Sequence, residues 1–159
     1  MALKGLISAH FSWQELLHSN TAVRHGIRNI PSPLAAANLS RVTDRALEPI
    51  RSHFGKPFKI TSGYRGPALN AKVGGSATSN HCLGCAVDGE IKGIPNYDVA
   101  KWAAENLDYW DEIILEAYHS SDPNSGWIHL AVRPGGEKAN RKKVLTWNRA
   151  DGYRRGLIK

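Results

Sequence analysis

The chain has 159 residues, a common length for one domain, and its 42% hydrophobic content is ordinary for a globular protein. Lysine and arginine outnumber aspartate and glutamate by 21 to 14, so the net charge is +7 with histidine neutral. This charge favours a polyanionic partner, such as nucleic acid, anionic lipid or an acidic cell-wall polymer. No segment approaches the ~18 apolar residues of a membrane span. A core of this size forms without a metal, so a metal site would serve function rather than folding.

The N-terminal third is predicted to be helical. Ser12 and Glu15 fit a capping box, which predicts a short helix from about Trp13. A second, longer helix is predicted over residues 34–54, where apolar residues recur at steps of three and four: Leu39, Val42, Ala46, Ile50 and Phe54. Pro49 lies within this pattern and is expected to kink the helix.

The remainder alternates between strand and helix patterns. Strands are predicted at residues 58–62, 85–91, 111–118, 127–132 and 143–147, and helices at 67–73 and from about 95 to 107. We expect one α+β domain over residues 1–159, in which an antiparallel sheet carries the site and helices pack on its other face. The strand at 143–147 is expected to close the sheet. The basic tail, about residues 149–159, has few apolar residues and is expected to be loosely held.

Three residues have the chemistry of a catalytic zinc site. Zinc binds imidazole and carboxylate groups, and a catalytic site supplies three protein ligands while it leaves one position open. His81 and Asp88 lie in one glycine-containing segment and supply two. His129 is the best candidate for the third, because histidine is an unusual choice within the apolar strand at 127–132. Alone, it would more often be a strand histidine held by a hydrogen bond.

A catalytic base is predicted from the pairing of the strands at 111–118 and 127–132. If their hairpin is centred between Asp122 and Pro123, Glu116 lies directly opposite His129, and opposed residues point to the same face. Glu116 would then stand beside the metal as general base. A register shift of one residue would move it to the other face. The alternative bases are Asp122, His119 and Asp111.

Two further features of the sequence surround the candidate ligands. Arg65 follows a predicted strand and has the chemistry to bind a substrate carboxylate or to stabilise an oxyanion. Cys82 and Cys85 form a Cys-x-x-Cys motif, but no second cysteine pair is present for a zinc ribbon. They are interpreted as small apolar residues beside the site, because a redox motif would normally open a helix.

The pattern Ser79-x-His81-x-x-Gly84-x-Ala86-x-Asp88 resembles the S-x-H-x-x-G-x-A-x-D signature of zinc D-Ala-D-Ala peptidases of the M15 family. The hedgehog signalling domain shares that fold. Residues 62–75 resemble the S-G-Y-R-S-P-x-L-N…V-G-G block of the carboxypeptidase and phage endolysin branch. Glu116 and the Gly-Trp-Ile-His segment at 126–129 resemble its acidic strand and W-V-H strand. The similarity extends from about residue 11 to 146.

The resemblance implies Zn²⁺ on His81, Asp88 and His129, with Arg65 and Ser79 near the substrate. Some relatives place the catalytic acid three residues before the last zinc histidine, where this chain has Gly126, and others use a histidine five residues before it. Glu116 is therefore the predicted base.

The expected function is hydrolysis of a peptide bond in the peptidoglycan stem, by a monomer acting on an anionic cell wall. The N-terminal segment is too polar for a secretory signal, so a phage lysis enzyme that reaches the wall after membrane permeabilisation is expected. The alternative from another class is a non-catalytic, zinc-containing cell-wall binding module. Nucleic-acid binding has no supporting motif beyond the sequence pI of about 9.6.

Overall fold

A computed structural model describes residues 3–134 and 140–159. The helices are α1 (Trp13–Leu17), α2 (Asn20–Arg24), α3 (Pro33–Val42), α4 (Glu48–Phe54), α5 (Pro67–Lys72) and α6 (Asn96–Asn106). The strands are β1 (Phe58–Ser62), β2 (Ala86–Ile91), β3 (Glu112–Glu116), β4 (Trp127–Ala131), β5 (Lys143–Asn148) and β6 (Gly152–Arg155). Within the described residues, no helix is long and apolar enough to cross a membrane.

The predicted helix boundaries follow from local chemistry. Ser12 and Glu15 form the predicted capping box at the start of α1. The long helix predicted over residues 34–54 is present, but α3 and α4 are joined by a π-helical turn, Thr43–Leu47. Pro49 lies in the first turn of α4, where its missing N–H is tolerated. The irregularity therefore falls just before the proline, and Gly55 in the left-handed conformation ends the helix.

The six strands form one mixed sheet in the order β1-β2-β4-β3-β5-β6. Most neighbours are antiparallel, but β5 runs parallel to β3. The prediction of a purely antiparallel sheet was therefore wrong. β4 ends opposite the start of β3 at Glu112, and β5 begins beside the same residue, so β5 runs in the same direction as β3.

The C-terminal residues also differ from expectation. Residues 149–159 were predicted to be loosely held, and β5 was predicted to close the sheet. Instead Gly152–Arg155 pairs with β5 as β6, so β6 rather than β5 forms that edge of the sheet. A tight turn makes this possible, in which Asn148 accepts backbone N–H bonds from Ala150 and Asp151.

The two faces of the sheet have different roles. Val87, Ile113 and Leu130 point to the helical side and are almost completely buried against α3, α4 and α6. Their neighbours on the same strands point the other way because side chains alternate along a strand. Asp88, His129 and Glu116 belong to this second set, so the helices pack on one face and leave the other for chemistry.

Candidate metal centre

Strand register places two of the predicted ligands side by side. Asp88 on β2 lies directly opposite His129 on β4. His81 comes from the 3₁₀ turn Asn80–Leu83, which ends at Gly84 with φ of +68°. A Cβ on Gly84 would lie 2.1 Å from the carbonyl oxygen of Ala35, so only glycine permits this turn to pack on α3. The turn brings His81 against β2 without a longer loop.

The three side chains form a compact, buried cluster. Nδ1 of His129 lies 2.7 Å from Oδ1 of Asp88, and Nε2 of His81 lies 3.2 Å from Oδ2. One ligand atom from each residue lies within 4.8 Å of the other two. His81 is 1% exposed, and Asp88 and His129 are each 9% exposed. Within the described part of the chain, no other group of three histidine, cysteine or acidic side chains has this geometry.

The hydrogen bonds of His81 favour a cation at this position. Its Nδ1 donates to the carbonyl oxygen of Gly63 at 2.7 Å, since a carbonyl can only accept. In the neutral ring, Nε2 then carries a lone pair, and this buried atom makes no hydrogen bond although the Asp88 carboxylate is close. Two acceptors facing each other require a positive charge between them. A divalent metal fits, and the Gly63 bond would orient the ring for it.

The electrostatics of the cluster agree with a cation-binding role. Burial alone would raise the pKa of Asp88, but the adjacent imidazoles of His81 and His129 outweigh this effect and lower it. Burial would lower the pKa of His129, but its hydrogen bond to Asp88 and the nearby carboxylates raise it. The Asp88 carboxylate is therefore ionised throughout the neutral range.

The cluster lines a cavity of about 460 Å³, which we call the metal cavity. The other predicted residues line it as well. Arg65 leaves β1 and its backbone N–H donates to the carbonyl of His81 at 3.2 Å. Nε of Arg65 is buried and has no hydrogen-bond partner, so a guanidinium N–H is available within the site. Ser79 caps the 3₁₀ turn by accepting the N–H of His81 at 3.3 Å.

Glu116 also lines this cavity, although its predicted register was wrong. Glu116 lies opposite Trp127, and Ile114 lies opposite His129, so the pairing differs by two residues from the prediction. A shift of two keeps Glu116 on the same face as the cluster. Burial and the charge of Asp88 raise the pKa of Glu116, while His129 and Arg65 oppose that rise. Such a carboxylate holds a proton more readily than an exposed glutamate.

Residues 9–130 match the family model for Peptidase M15. The chain belongs to the peptidase M15 family. The match begins before α1, ends one residue before the end of β4 and includes every residue of the candidate cluster, whereas β5 and β6 lie beyond it. No curated protein matches the chain significantly. Membership in a family of metal-dependent peptidases agrees with the His-Asp-His cluster found in the fold.

The alternative bases lie elsewhere in this M15 chain. His119 and Asp122 are exposed in the β3–β4 connection, and the Asp122 carboxylate accepts the N–H of Asn124. Asp111 is fully buried and is held by Arg141 through several hydrogen bonds, the shortest 2.6 Å. None of the three lines the metal cavity. Of the candidate bases, Glu116 is the one that the fold brings to the cluster.

Gly126 shows why the position three residues before His129 carries no acid. Its φ is +68°, and a Cβ there would lie 1.9 Å from the carbonyl oxygen of Glu116. A side chain at position 126 would therefore displace the end of β3. Glu116 of the neighbouring strand β3 supplies a carboxylate to the cavity instead.

The two cysteines contribute no ligand to the cluster. Both thiols are free. Cys85 is completely buried in the core, and burial raises its pKa to about 11. Cys82 is half-buried, and burial raises its pKa as well. Thiols with raised pKa values are poor nucleophiles, which agrees with their interpretation as apolar residues.

Among the cavity residues that sequence reasoning did not assign to the site are Glu112 and Tyr153. Glu112 lies two positions before Ile114 and four before Glu116, so alternation along β3 carried the signal. Tyr153 lies on β6, in the segment predicted to be loose. The Asn-x-x-Asp-Gly sequence at 148–152 was the available sign of a hairpin turn.

Proposed function

We propose that this chain is a zinc-dependent peptidase that hydrolyses a peptide bond in the peptidoglycan stem, as a carboxypeptidase or an endopeptidase. The observation that carries the proposal is the buried, unpartnered Nε2 of His81 beside the Asp88 carboxylate. Imidazole and carboxylate donors are those that zinc takes in catalytic sites. His81, Asp88 and His129 would hold the ion, which supplies water activation and carbonyl polarisation when bound.

Glu116 is the proposed general base and acid. Its carboxylate lies on the cluster's face of the sheet, in the same cavity. It takes a proton from the attacking water at one carboxylate oxygen and gives that proton to the nitrogen of the leaving amine. Its raised pKa suits both steps, because a stronger base accepts the first proton more readily and the protonated carboxyl can still donate it.

Arg65 is the proposed anion-binding residue. Its buried Nε–H has no partner within the described protein, so a substrate oxygen can accept its hydrogen bond. Either a terminal carboxylate or the developing oxyanion would be stabilised there. The net charge of +7 supports an anionic polymer such as the cell wall as the surface on which the enzyme works.

Mass spectrometry of fragments released from purified peptidoglycan tests this proposal. Zinc-loaded protein should release stem-peptide fragments, a chelator should abolish them, and added zinc should restore them. The masses identify the bond that is cut. Identical fragments with and without chelator would contradict a zinc peptidase. Zinc binding and wall binding without any fragment would instead favour the non-catalytic module.

A further inference from the structure

One row of residues crosses the whole sheet on the face that carries the cluster. Asp88 lies opposite His129, His129 opposite Ile114, Ile114 beside Leu145, and Leu145 opposite Arg155. Arg155 on β6 is therefore in line with two candidate ligands, three strands beyond His129. At ~4.8 Å between strands, this separation is about 14 Å along the sheet.

The surface between these points is a continuous depression. The metal cavity adjoins a second cavity of about 360 Å³, and the two share Glu112, Ile114 and Tyr153 as walls. The second cavity is completed by Lys143, Leu145 and Arg155. Tyr153 lines both cavities at their junction, with its ring 6.2 Å from that of Trp147. We call the second cavity the β6 cavity.

The β6 cavity carries one uncompensated positive charge. Glu112 forms ion pairs with Lys143 at 3.1 Å and with Arg141 at 3.7 Å, so its negative charge is neutralised. The Arg155 side chain makes no ion pair or hydrogen bond with any residue that the structure describes. An anionic group entering this cavity would meet Arg155 as its free partner.

We propose that the β6 cavity binds a carboxylate-bearing residue of the peptide that the metal site cleaves, with Arg155 as the partner of that carboxylate. This inference rests on the proposed peptidase function. The substrate would cross the strands, with Arg65 on one side of the scissile bond and Arg155 on the other. An extended peptide advances about 3.3 Å per residue, so the recognised carboxylate lies roughly two to four residues from the bond, after allowance for the length of the arginine side chain.

Two matched peptides test this subsite. One is a peptidoglycan stem peptide with free side-chain carboxylates, and the other is the same peptide with those carboxylates converted to amides and its C-terminus unchanged. R155Q should raise KM for the carboxylate peptide by about three- to tenfold, with kcat nearly unchanged. It should leave the kinetics of the amide peptide unaltered. R155K, which keeps the charge, should retain most of the wild-type preference.

Arg154 provides the matched control. It neighbours Arg155 on β6 but points to the opposite face, where it pairs with Asp151 at 3.2 Å. R154Q removes the same charge and should leave the preference for the carboxylate peptide intact. Equal losses in R154Q and R155Q, or no loss in R155Q, would overturn the subsite.

Calorimetric binding to the metal-free protein separates this inference from the proposed function. If wild type cleaves neither peptide, the peptidase proposal fails, but binding still decides the subsite. Wild-type protein should then bind the carboxylate peptide more tightly than the amide peptide, and R155Q should bind both equally weakly. Equal affinity of wild type for the two peptides would overturn the subsite.

Discussion

Glu116 occupies the last position of β3, with its side chain on the face of the candidate ligands and its carboxylate in the metal cavity. E116Q keeps the shape of the side chain but removes the proton acceptor. We expect peptidase activity to fall by roughly 10²- to 10⁴-fold, the usual contribution of a general base. Zinc content, measured by atomic absorption, should stay equal to that of wild type. E105Q, at an exposed glutamate of α6 outside the cavity, is the control and should keep full activity, and a fully active E116Q would assign the proton transfer elsewhere.

Arg65 affects the protonation of Glu116 through its charge. Its guanidinium lowers the Glu116 pKa, in opposition to burial and to Asp88. Removing this charge in R65Q should therefore raise the Glu116 pKa. Since Glu116 must be ionised to accept a proton, the acid limb of kcat/KM should move to higher pH. The pH profile of R65K, which keeps the charge, should match that of wild type, and an unmoved limb in R65Q would contradict the coupling.

At the scale of elements, the absence of a side chain at Gly126 allows the start of β4 to approach the end of β3 closely. G126A would place a Cβ 1.9 Å from the Glu116 carbonyl at a φ of +68°. Steric displacement and backbone strain should together destabilise the fold by about 2–5 kcal/mol. Thermal unfolding measures this. G152A is a matched control because Gly152 has a φ of +69° but nothing within 4 Å of its Cβ position, so it should lose only the strain. Equal losses in both variants would rule out the contact.

The elements were largely predictable from sequence, but the connections between them were not. Period and capping signals located α1, the long helix and most strands, because such signals are local. The β3–β4 register depended on a ten-residue connection, in which Ala117 has a positive φ of 52° that no composition rule anticipates. The prediction still placed Glu116 on the correct face, because the predicted register was wrong by two residues, an even number. The parallel β5 and the edge strand β6 depend on long-range pairing, so Tyr153 and Arg155 could not be assigned to the site.

At the scale of the whole molecule, metal binding should couple to stability. A ligand that binds only the folded state stabilises it by about 2.7 kcal/mol at a hundredfold excess over Kd. For a domain of this size, that corresponds to a rise in Tm of roughly 5–10 °C on zinc addition. D88N should lose the rise, since it removes the anionic ligand with little change in shape. H119A, altered at an exposed histidine outside the cavity, should keep it. A D88N protein stabilised by zinc as strongly as wild type would contradict the site.

The loss of folding stability at acid pH should arise partly from Asp111, which lies at the opposite end of β3 from Glu116. Burial would raise its pKa, but the hydrogen bonds and charge of Arg141, with Arg133, lower it. Its folded pKa therefore lies below the unfolded value of about 3.9. The stability it contributes is fully present above about pH 4 and is lost as pH falls through the folded pKa.

D111N tests this contribution. It should cost about 1–3 kcal/mol at pH 7, because a neutral amide cannot replace the charged hydrogen bonds that the buried Asp111 accepts from the partly exposed Arg141. Stability should also fall less steeply between roughly pH 4 and 2 than in wild type, which urea unfolding across pH can measure. D151N, which removes an exposed pair with Arg154, should leave the slope unchanged. An unchanged slope in D111N would exclude Asp111 as a source.

The close approach of Gly126 to the Glu116 carbonyl also limits which second mutations could restore activity to a variant that lacks the Glu116 carboxylate. A selection for restored peptidase activity that begins with E116Q offers position 126 as a place for a second-site revertant, since it adjoins the backbone of residue 116. Aspartate or glutamate there would push β3 away from the cavity that it must serve. Suppressors should therefore arise at other positions around the cavity, and true reversion at codon 116 should dominate the survivors.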